Sequence, residues 1–196
     1  MSIRRLSLVV SIVGVLALPG VAQAARVIRV STGTVRNRGI ITRIGPWSVG
    51  GPWGGGNPTL RGAIAVFGAP SSEQAERPGF AGVADCAATW NRIGLRVVFT
   101  TLGIEPGTCN PNKRVWKATI TGRPFDWVTW NGLTVGHQRH QIGRLHSNAF
   151  WRAGVGWLMA SEYSPFGTGG RRPSVTAFVS HGRIAQFNLF VFAQGE

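Results

Sequence analysis

The stretch Trp127–Ala149, WVTWNGLTVGHQRHQIGRLHSNA, governs how the rest of the chain is interpreted. It opens with an aromatic and β-branched run that is typical of a strand, and Asn131-Gly132 is a strong signal for a tight turn. The strand pattern then continues to Gly136, and a short polar segment follows. The stretch therefore predicts a strand, a turn and a short helix over about 138–146.

An earlier part of the chain follows the same order. Trp47-Ser48-Val49-Gly50 matches Leu133-Thr134-Val135-Gly136, which lies 86 positions (133 − 47) later. A glycine-rich loop, 50–56, follows the first copy, and it lacks the Gly-Lys-Ser/Thr ending of a phosphate-binding loop. We interpret the similarity of these two segments as evidence that one structural unit occurs twice in the chain.

The clearest helix in the chain follows that loop. Asn57 is a favourable N-cap, Pro58 suits the first helical position, and Gly68 suits the end. The apolar side chains between them recur at helical spacing, at Leu60, Ala63, Ile64 and Phe67. A helix of about three turns is not stable alone, so this stripe is expected to pack on a sheet.

Most of the remaining chain has the alternation and turn residues of antiparallel strands. Residues 26–50 are basic, with short β-like pieces at 27–30 and 40–44, and are interpreted as an edge segment or a loosely held arm. Ser71–Phe80 is interpreted as a polar surface loop, and His181-Gly182 as a tight hairpin turn. The other predicted strands are 84–90, 95–102, 114–121, 154–161, 174–180 and 183–193.

The first 24 residues have the features of a secretory signal peptide. Arg4 and Arg5 precede an uncharged apolar run, 6–18, and Ala22-Gln23-Ala24 is a small-x-small cleavage site. The run is too short to span a bilayer. We therefore expect a secreted, extracellular protein with no stable membrane insertion after cleavage.

Two cysteines, Cys86 and Cys109, are present. An even count in an exported chain favours a disulfide, and no CxxC spacing points to a metal or redox pair. We therefore expect one structural bridge within the first half of the chain.

The chain is strongly basic, with 21 Lys and Arg against 7 Asp and Glu and a net charge of +14. Cleavage after Ala24 leaves 19 basic residues and a net charge of +12. Such a surplus attracts polyanions without specificity, and outside the cell these include anionic wall polymers. No specific nucleic-acid partner is expected.

Eight tryptophans are the other compositional feature. Most are expected in the core, but Trp127 and Trp130 alternate along one strand, so one of them is a candidate for display. Trp53 and Trp151 lie beside glycine or polar stretches. The candidate binding residues are Trp53, Trp130, Trp151, Arg152, Arg171 and Arg172.

Catalytic and metal-binding patterns are weak. His137 and His140 have the i, i+3 spacing of a helical ligand pair, but Arg139 and Arg144 would repel a cation. No nucleophile-elbow sequence (G-x-S-x-G) occurs, and no pair of acids has a spacing that indicates hydrolysis. We expect no enzyme activity, no catalytic residues, no metal and no cofactor.

A resemblance to known families rests on two segments, each followed by a short helix and a strand meander. They are Trp47-Ser48-Val49-Gly50 and Gly132-Leu133-Thr134-Val135-Gly136. The arrangement resembles the small module found twice in the secreted β-lactamase-inhibitor protein family and once in outer-membrane assembly lipoproteins of the BamE type. The Gly132–Gly136 segment is also similar to one in uncharacterised exported proteins of actinobacteria. The resemblance implies an antiparallel sheet with helices on one face, and binding more than catalysis.

The sequence therefore predicts an α+β fold of two pseudo-repeated halves, each a short helix on an antiparallel β-meander, with one disulfide. The expected boundaries are a signal peptide at 1–24, a basic β-segment at 25–50, a first half at 44–122 and a second half at 123–196. The expected function is a secreted, inhibitor-like binding module that engages a protein through Trp- and Arg-rich loops. The alternative is a cationic cell-envelope protein that adheres to anionic wall polymers.

Overall fold

The computed structural model describes residues 26–33, 38–49, 56–76, 85–100, 109–122, 126–163 and 171–191. Within these ranges the fold is dominated by antiparallel β-sheet, with two short helices and one disulfide. The prediction of an antiparallel sheet is confirmed, although helix makes up less of the fold than an α+β class implies. The predicted signal peptide lies outside the described residues.

The described elements are twelve strands, in two sheets, and two α-helices. The first part contains β1 (Arg26–Gly33), β2 (Arg38–Ile44), β3 (Trp47–Ser48), α1 (Leu60–Phe67), β4 (Ser72–Glu76), β5 (Asp85–Trp90), β6 (Leu95–Thr100) and β7 (Arg114–Ile120). The second part contains β8 (Trp127–Thr129), α2 (His140–Leu145), β9 (Phe150–Arg152), β10 (Gly156–Tyr163), β11 (Arg171–Ser180) and β12 (Arg183–Phe190).

The larger sheet has the strand order β4-β5-β6-β7-β12-β11-β10-β9, and every neighbouring pair is antiparallel. The outer strand β4 occupies part of the segment predicted as a surface loop, so that prediction is wrong for Ser72–Glu76. Its residues are polar because the strand is at an edge and its described side chains are exposed. Such a strand shows no apolar alternation in the sequence.

The smaller sheet has the order β3-β2-β1-β8. The prediction of an edge segment or loose arm is wrong for β1, which lies between β2 and β8. Its pairing with β8 is parallel and begins with Arg26 opposite Trp127, a partner about a hundred positions away that local pattern cannot reveal. β2 contributes Ile41 and Ile44 to the common core.

The helix α1 forms where it was predicted, but its N-cap is Thr59 and not Asn57. The Thr59 hydroxyl oxygen accepts a hydrogen bond from the Gly62 backbone N–H at 3.2 Å. Asn57 is held outside the helix, because its carbonyl accepts the indole N–H of Trp47 at 2.8 Å and its side chain accepts the Thr59 hydroxyl. α2 is shorter than predicted, and Arg139 at its start gives no side-chain cap.

An aromatic cluster joins α1 to both sheets. The Phe67 ring lies 6.2 Å from Trp47, 5.8 Å from Trp90 and 6.2 Å from Trp127, measured between ring centroids. All three tryptophans are buried. Their indole N–H groups donate to the backbone carbonyls of Asn57, Gly68 and Ile93 at 2.7–2.8 Å. The cluster therefore buries large apolar rings without leaving those N–H groups unpaired.

The predicted disulfide and hairpin turn are both confirmed. Cys86, on β5, is bonded to Cys109, 23 positions later, with a Cα–Cα distance of 5.2 Å. The hairpin between β11 and β12 turns at His181 and Gly182, whose φ values are 49° and 72°. Two consecutive positive φ values are typical of the tight turns that match the twist of a hairpin.

Candidate binding surface

β9 forms one outer edge of the large sheet. Its three side chains, Phe150, Trp151 and Arg152, are all exposed, with 50% of Phe150 and 58% of Trp151 accessible to solvent. Large exposed apolar surface marks a candidate interaction site. We use the name β9 surface for these three residues together with Arg139 and Trp157.

The pairing register places the β9 side chains on two sides of the sheet. Trp151 is opposite Trp157, which is opposite Ala177 of the buried core, so these residues lie on the side that carries the helices. Phe150 is opposite Leu158, which is opposite Thr176, and they lie on the other side. The β9 surface thus offers an aromatic ring on each side of one edge.

On the helix side, Trp151 and Trp157 meet in a T-shaped contact with ring centroids 6.1 Å apart. The guanidinium carbon of Arg139 lies 5.4 Å from the centroid of the Trp157 ring, within the range of a cation–π contact. An open groove of about 410 Å³ adjoins them, lined by Gln138, Arg139, His140, Gly143, Trp157 and Gly182. This side therefore combines an aromatic platform with donor groups.

On the opposite side, a row of residues runs in register across all eight strands and ends at Phe150. The Thr119 hydroxyl donates to Asn188 Oδ1 at 3.0 Å within this row. In strand order from β4 the row is Ser72, Thr89, Arg96, Thr119, Asn188, Thr176, Leu158 and Phe150. The row is polar at first and becomes apolar over its last two strands.

Charge is unevenly distributed along the chain. Residues 127–161 and 171–191, which cover β8, α2, β9, β11, β12 and most of β10, contain six arginines and no Asp or Glu, while Glu162 lies near the end of β10. In contrast, Glu73, Glu76 and Asp85 lie on β4 and β5, at the opposite edge of the large sheet. The β9 surface is therefore built from a part of the chain that is basic and poor in carboxylates.

Of the candidate binding residues whose side chains the structure describes, Trp151 and Arg152 lie together on β9. Trp130 is half-buried in the turn after β8, with its ring centroid 4.5 Å from that of His146. The backbones of Arg171 and Arg172 belong to β11 and pair with Tyr163 and Glu162. Trp53 lies outside the described residues.

Sequence reasoning missed three members of the β9 surface: Phe150, Trp157 and Arg139. Phe150 directly precedes Trp151, so an aromatic pair at the start of a short strand is the sequence signal for its exposure. Trp157 and Arg139 become part of the surface only through the β9–β10 hairpin and the position of α2. No local spacing connects them.

The three clustered histidines occupy different environments. His140 is exposed, whereas His146 is buried and its Nε2 lies 2.9 Å from the Thr129 hydroxyl oxygen. Burial lowers the pKa of His146 to about 4. Burial, followed by the positive charge of Arg144, also lowers the pKa of His137. In the described part of the chain, no group of three or more His, Cys, Asp or Glu is placed to hold a metal.

We expect the stability of the protein to fall as pH drops from about 6.5 to about 4. His146 is neutral in the folded state over this window but takes up a proton when the chain unfolds. The unfolded state binds more protons, so the free energy of unfolding decreases by at most about 1.4 kcal/mol per pH unit for this group. Urea unfolding at a series of pH values measures the slope.

The matched variants for this measurement are His146→Gln and His140→Gln. We expect His146→Gln to flatten the slope between pH 4 and 6.5, whereas replacing the exposed His140 leaves it as in the parent protein. An unchanged slope in His146→Gln would contradict the assignment.

No helix among the described residues is long and apolar enough to cross a membrane. No family model, curated protein or solved structure matches the chain.

Proposed function

We propose that the chain is a secreted, non-catalytic binding module that engages a protein partner through the β9 surface. The observation that carries this proposal is the 58% exposure of Trp151 on an edge strand, next to Arg152 and in contact with Trp157. Tryptophan and arginine dominate the energetic centres of protein interfaces. The disulfide between Cys86 and Cys109 fits an oxidising, extracellular environment.

Our proposal includes two related halves, 44–122 and 123–196. In the first, the segment before α1 pairs with the start of β7. The Val115 N–H donates to the Pro58 carbonyl at 2.7 Å, and the Leu60 N–H donates to the Lys113 carbonyl at 3.1 Å. An isolated bridge between Thr59 and Arg114 lies between these two bonds.

The second half has the same three pairings. The Ile184 N–H donates to the His137 carbonyl at 2.9 Å, and the Arg139 N–H donates to the Gly182 carbonyl at 2.9 Å. The bridge between them joins Gln138 to Arg183. Each helix is followed by four consecutive antiparallel strands, and the two sets of four meet at β7 and β12. This correspondence supports a tandem module like that of the inhibitor family.

The binding proposal is tested by affinity capture. Oxidised protein comprising residues 25–196 is immobilised, exposed to envelope and culture-fluid extract, and eluted first with salt up to about 1 M and then with denaturant. Charge contacts are screened within about 3 Å at that salt concentration, while packed aromatic contacts are not. We expect one protein to remain until denaturant is applied.

The Trp151→Ala variant should reduce the affinity for the captured protein about tenfold or more, as is usual for a central interface tryptophan. Arg152→Gln and Arg92→Gln form a matched pair, because both remove one exposed positive charge and Arg92 lies in the turn between β5 and β6. We expect only the first of these two to weaken binding. Equal losses of affinity in Arg152→Gln and Arg92→Gln would contradict the placement of the binding site at the β9 surface.

The net charge of +12 that remains after cleavage at Ala24 favours the second candidate function, a cell-envelope protein that adheres to anionic wall polymers. In the same experiment this function predicts a broad set of anionic material that elutes at moderate salt. Trp151→Ala would then have no effect, and Arg152→Gln and Arg92→Gln would have equal, small effects.

A further inference from the structure

We propose that β9 receives its partner as an added β-strand, and that the added segment is an extended peptide rich in acidic residues. This inference deepens the proposed function and rests on it, since it specifies how the protein partner is held and what its contacting segment contains.

The outer edge of β9 is suited to strand addition. Arg152, Trp151 and Phe150 pair with β10 at Gly156, Trp157 and Leu158. Among the described residues, no strand pairs with β9 on its other side, because β9 is last in the order of the large sheet. An edge strand presents unpaired backbone N–H and C=O groups, which an extended peptide can satisfy.

The two edges of the large sheet differ in their side chains. The other edge, β4, has the sequence SEQAE with two acidic residues, and the side chain of Glu73 is exposed. Charged side chains on an edge discourage unwanted strand pairing. β9 has instead two large aromatic side chains and one arginine, so the charge at this edge is opposite in sign to that at β4.

The side chains of the incoming segment face two different surfaces. Alternate residues of an added strand point to opposite sides of the sheet. On the helix side they meet Trp151, whose ring contacts that of Trp157, and Trp157 lines the groove together with Arg139 and His140. On the opposite side they meet Phe150, next to Leu158.

Charge complementarity selects an acidic segment. Residues 139–161, the stretch that contains β9, include Arg139, Arg144 and Arg152 and no Asp or Glu, so an acidic peptide meets a basic segment there. Opposite charges directly across a strand pair are stabilising, while like charges are destabilising. Acidic residues that alternate with β-branched apolar residues fit both sides of β9.

The test uses a defined probe, the fluorescein-labelled peptide acetyl-Glu-Val-Glu-Val-Glu-Val-amide, with binding to the oxidised protein followed by fluorescence anisotropy. A peptide with Lys in place of Glu is the charge control. Two further peptides carry backbone N-methyl groups at either the odd or the even positions. In an added strand, only one of these two sets of N–H groups points toward β9.

We expect the acidic peptide to bind and the lysine peptide to bind at least tenfold more weakly. One N-methylated peptide should lose binding and the other should retain it, and Trp151→Ala should weaken binding while Val66→Ala, an exposed apolar residue on α1, should not. No binding of the acidic peptide, or equal binding by both N-methylated peptides, overturns strand addition.

Failure of this inference is distinguishable from failure of the proposed function. If a captured protein depends on Trp151 but excess acidic peptide does not displace it, the protein-binding proposal stands and strand addition is wrong. If no protein is captured through Trp151, the proposed function fails. If the captured protein is a second copy of this chain that pairs with β9 through its own β4 segment, then the acidic partner is this protein itself and not a separate one.

Discussion

We expect the Trp127→Ala variant to lose about 3–5 kcal/mol of unfolding free energy, the usual cost of truncating a buried tryptophan. Trp127 is 0% exposed, and its ring lies 6.2 Å from Phe67 between centroids. The substitution leaves a cavity next to both sheets and removes the 2.7 Å hydrogen bond to the Ile93 carbonyl. Urea unfolding, followed by far-UV circular dichroism, measures the loss.

Trp151→Ala is the matched control, because it makes the same chemical change at a side chain that is 58% exposed. A substitution at such a position usually changes stability by less than about 0.5 kcal/mol. A loss in Trp127→Ala as small as that in Trp151→Ala would show that the aromatic cluster does not hold the sheets and α1 together. A large loss in Trp151→Ala would mean that the β9 surface is structural.

Removal of the disulfide is expected to have the second largest effect on the free energy of unfolding. The Cys86→Ala, Cys109→Ala double variant should lose roughly 3 kcal/mol on the chain-entropy model, because the unfolded chain is no longer closed over 23 positions. Cys86 is completely buried on β5, so the bond also joins an inner strand of the large sheet to the segment before β7. Urea unfolding of the oxidised protein and the variant measures the difference.

Reduction of the parent protein provides an independent route to the same state. With excess dithiothreitol, its unfolding free energy should approach that of the double variant, and the reductant should leave the variant itself unchanged. A parent protein whose stability is insensitive to reduction would contradict a structural role for the bond.

The elements that the sequence predicted well are those whose signals are local. The stripe that contains Leu60 and Phe67 predicted α1, and His181-Gly182 predicted the hairpin turn, because helical spacing and turn residues act over a few positions. Pairing between distant segments has no such signal. The parallel contact of β1 with β8 and the edge position of β4 were therefore found only in the structure.

The candidate site was only partly predictable for the same reason. Trp151 and Arg152 were recognised because they are adjacent in the sequence and lie in a polar segment. The cation–π contact between Arg139 and Trp157 depends on the packing of α2 beside β10. Alternation of Trp127 and Trp130 along one predicted strand made Trp130 a candidate for display, but β8 ends at Thr129 and Trp130 packs against His146.

The junction of β7 and β12 has a consequence for the order in which the chain folds. Ile120 and Phe187 are opposite each other there, although they are 67 positions (187 − 120) apart. The β11–β12 hairpin, in contrast, closes through two residues. Contacts between distant segments carry a larger loop-closure entropy and form more slowly. The two four-stranded meanders are thus expected to assemble early, and their union across β7 and β12 to be the slow step that completes the sheet.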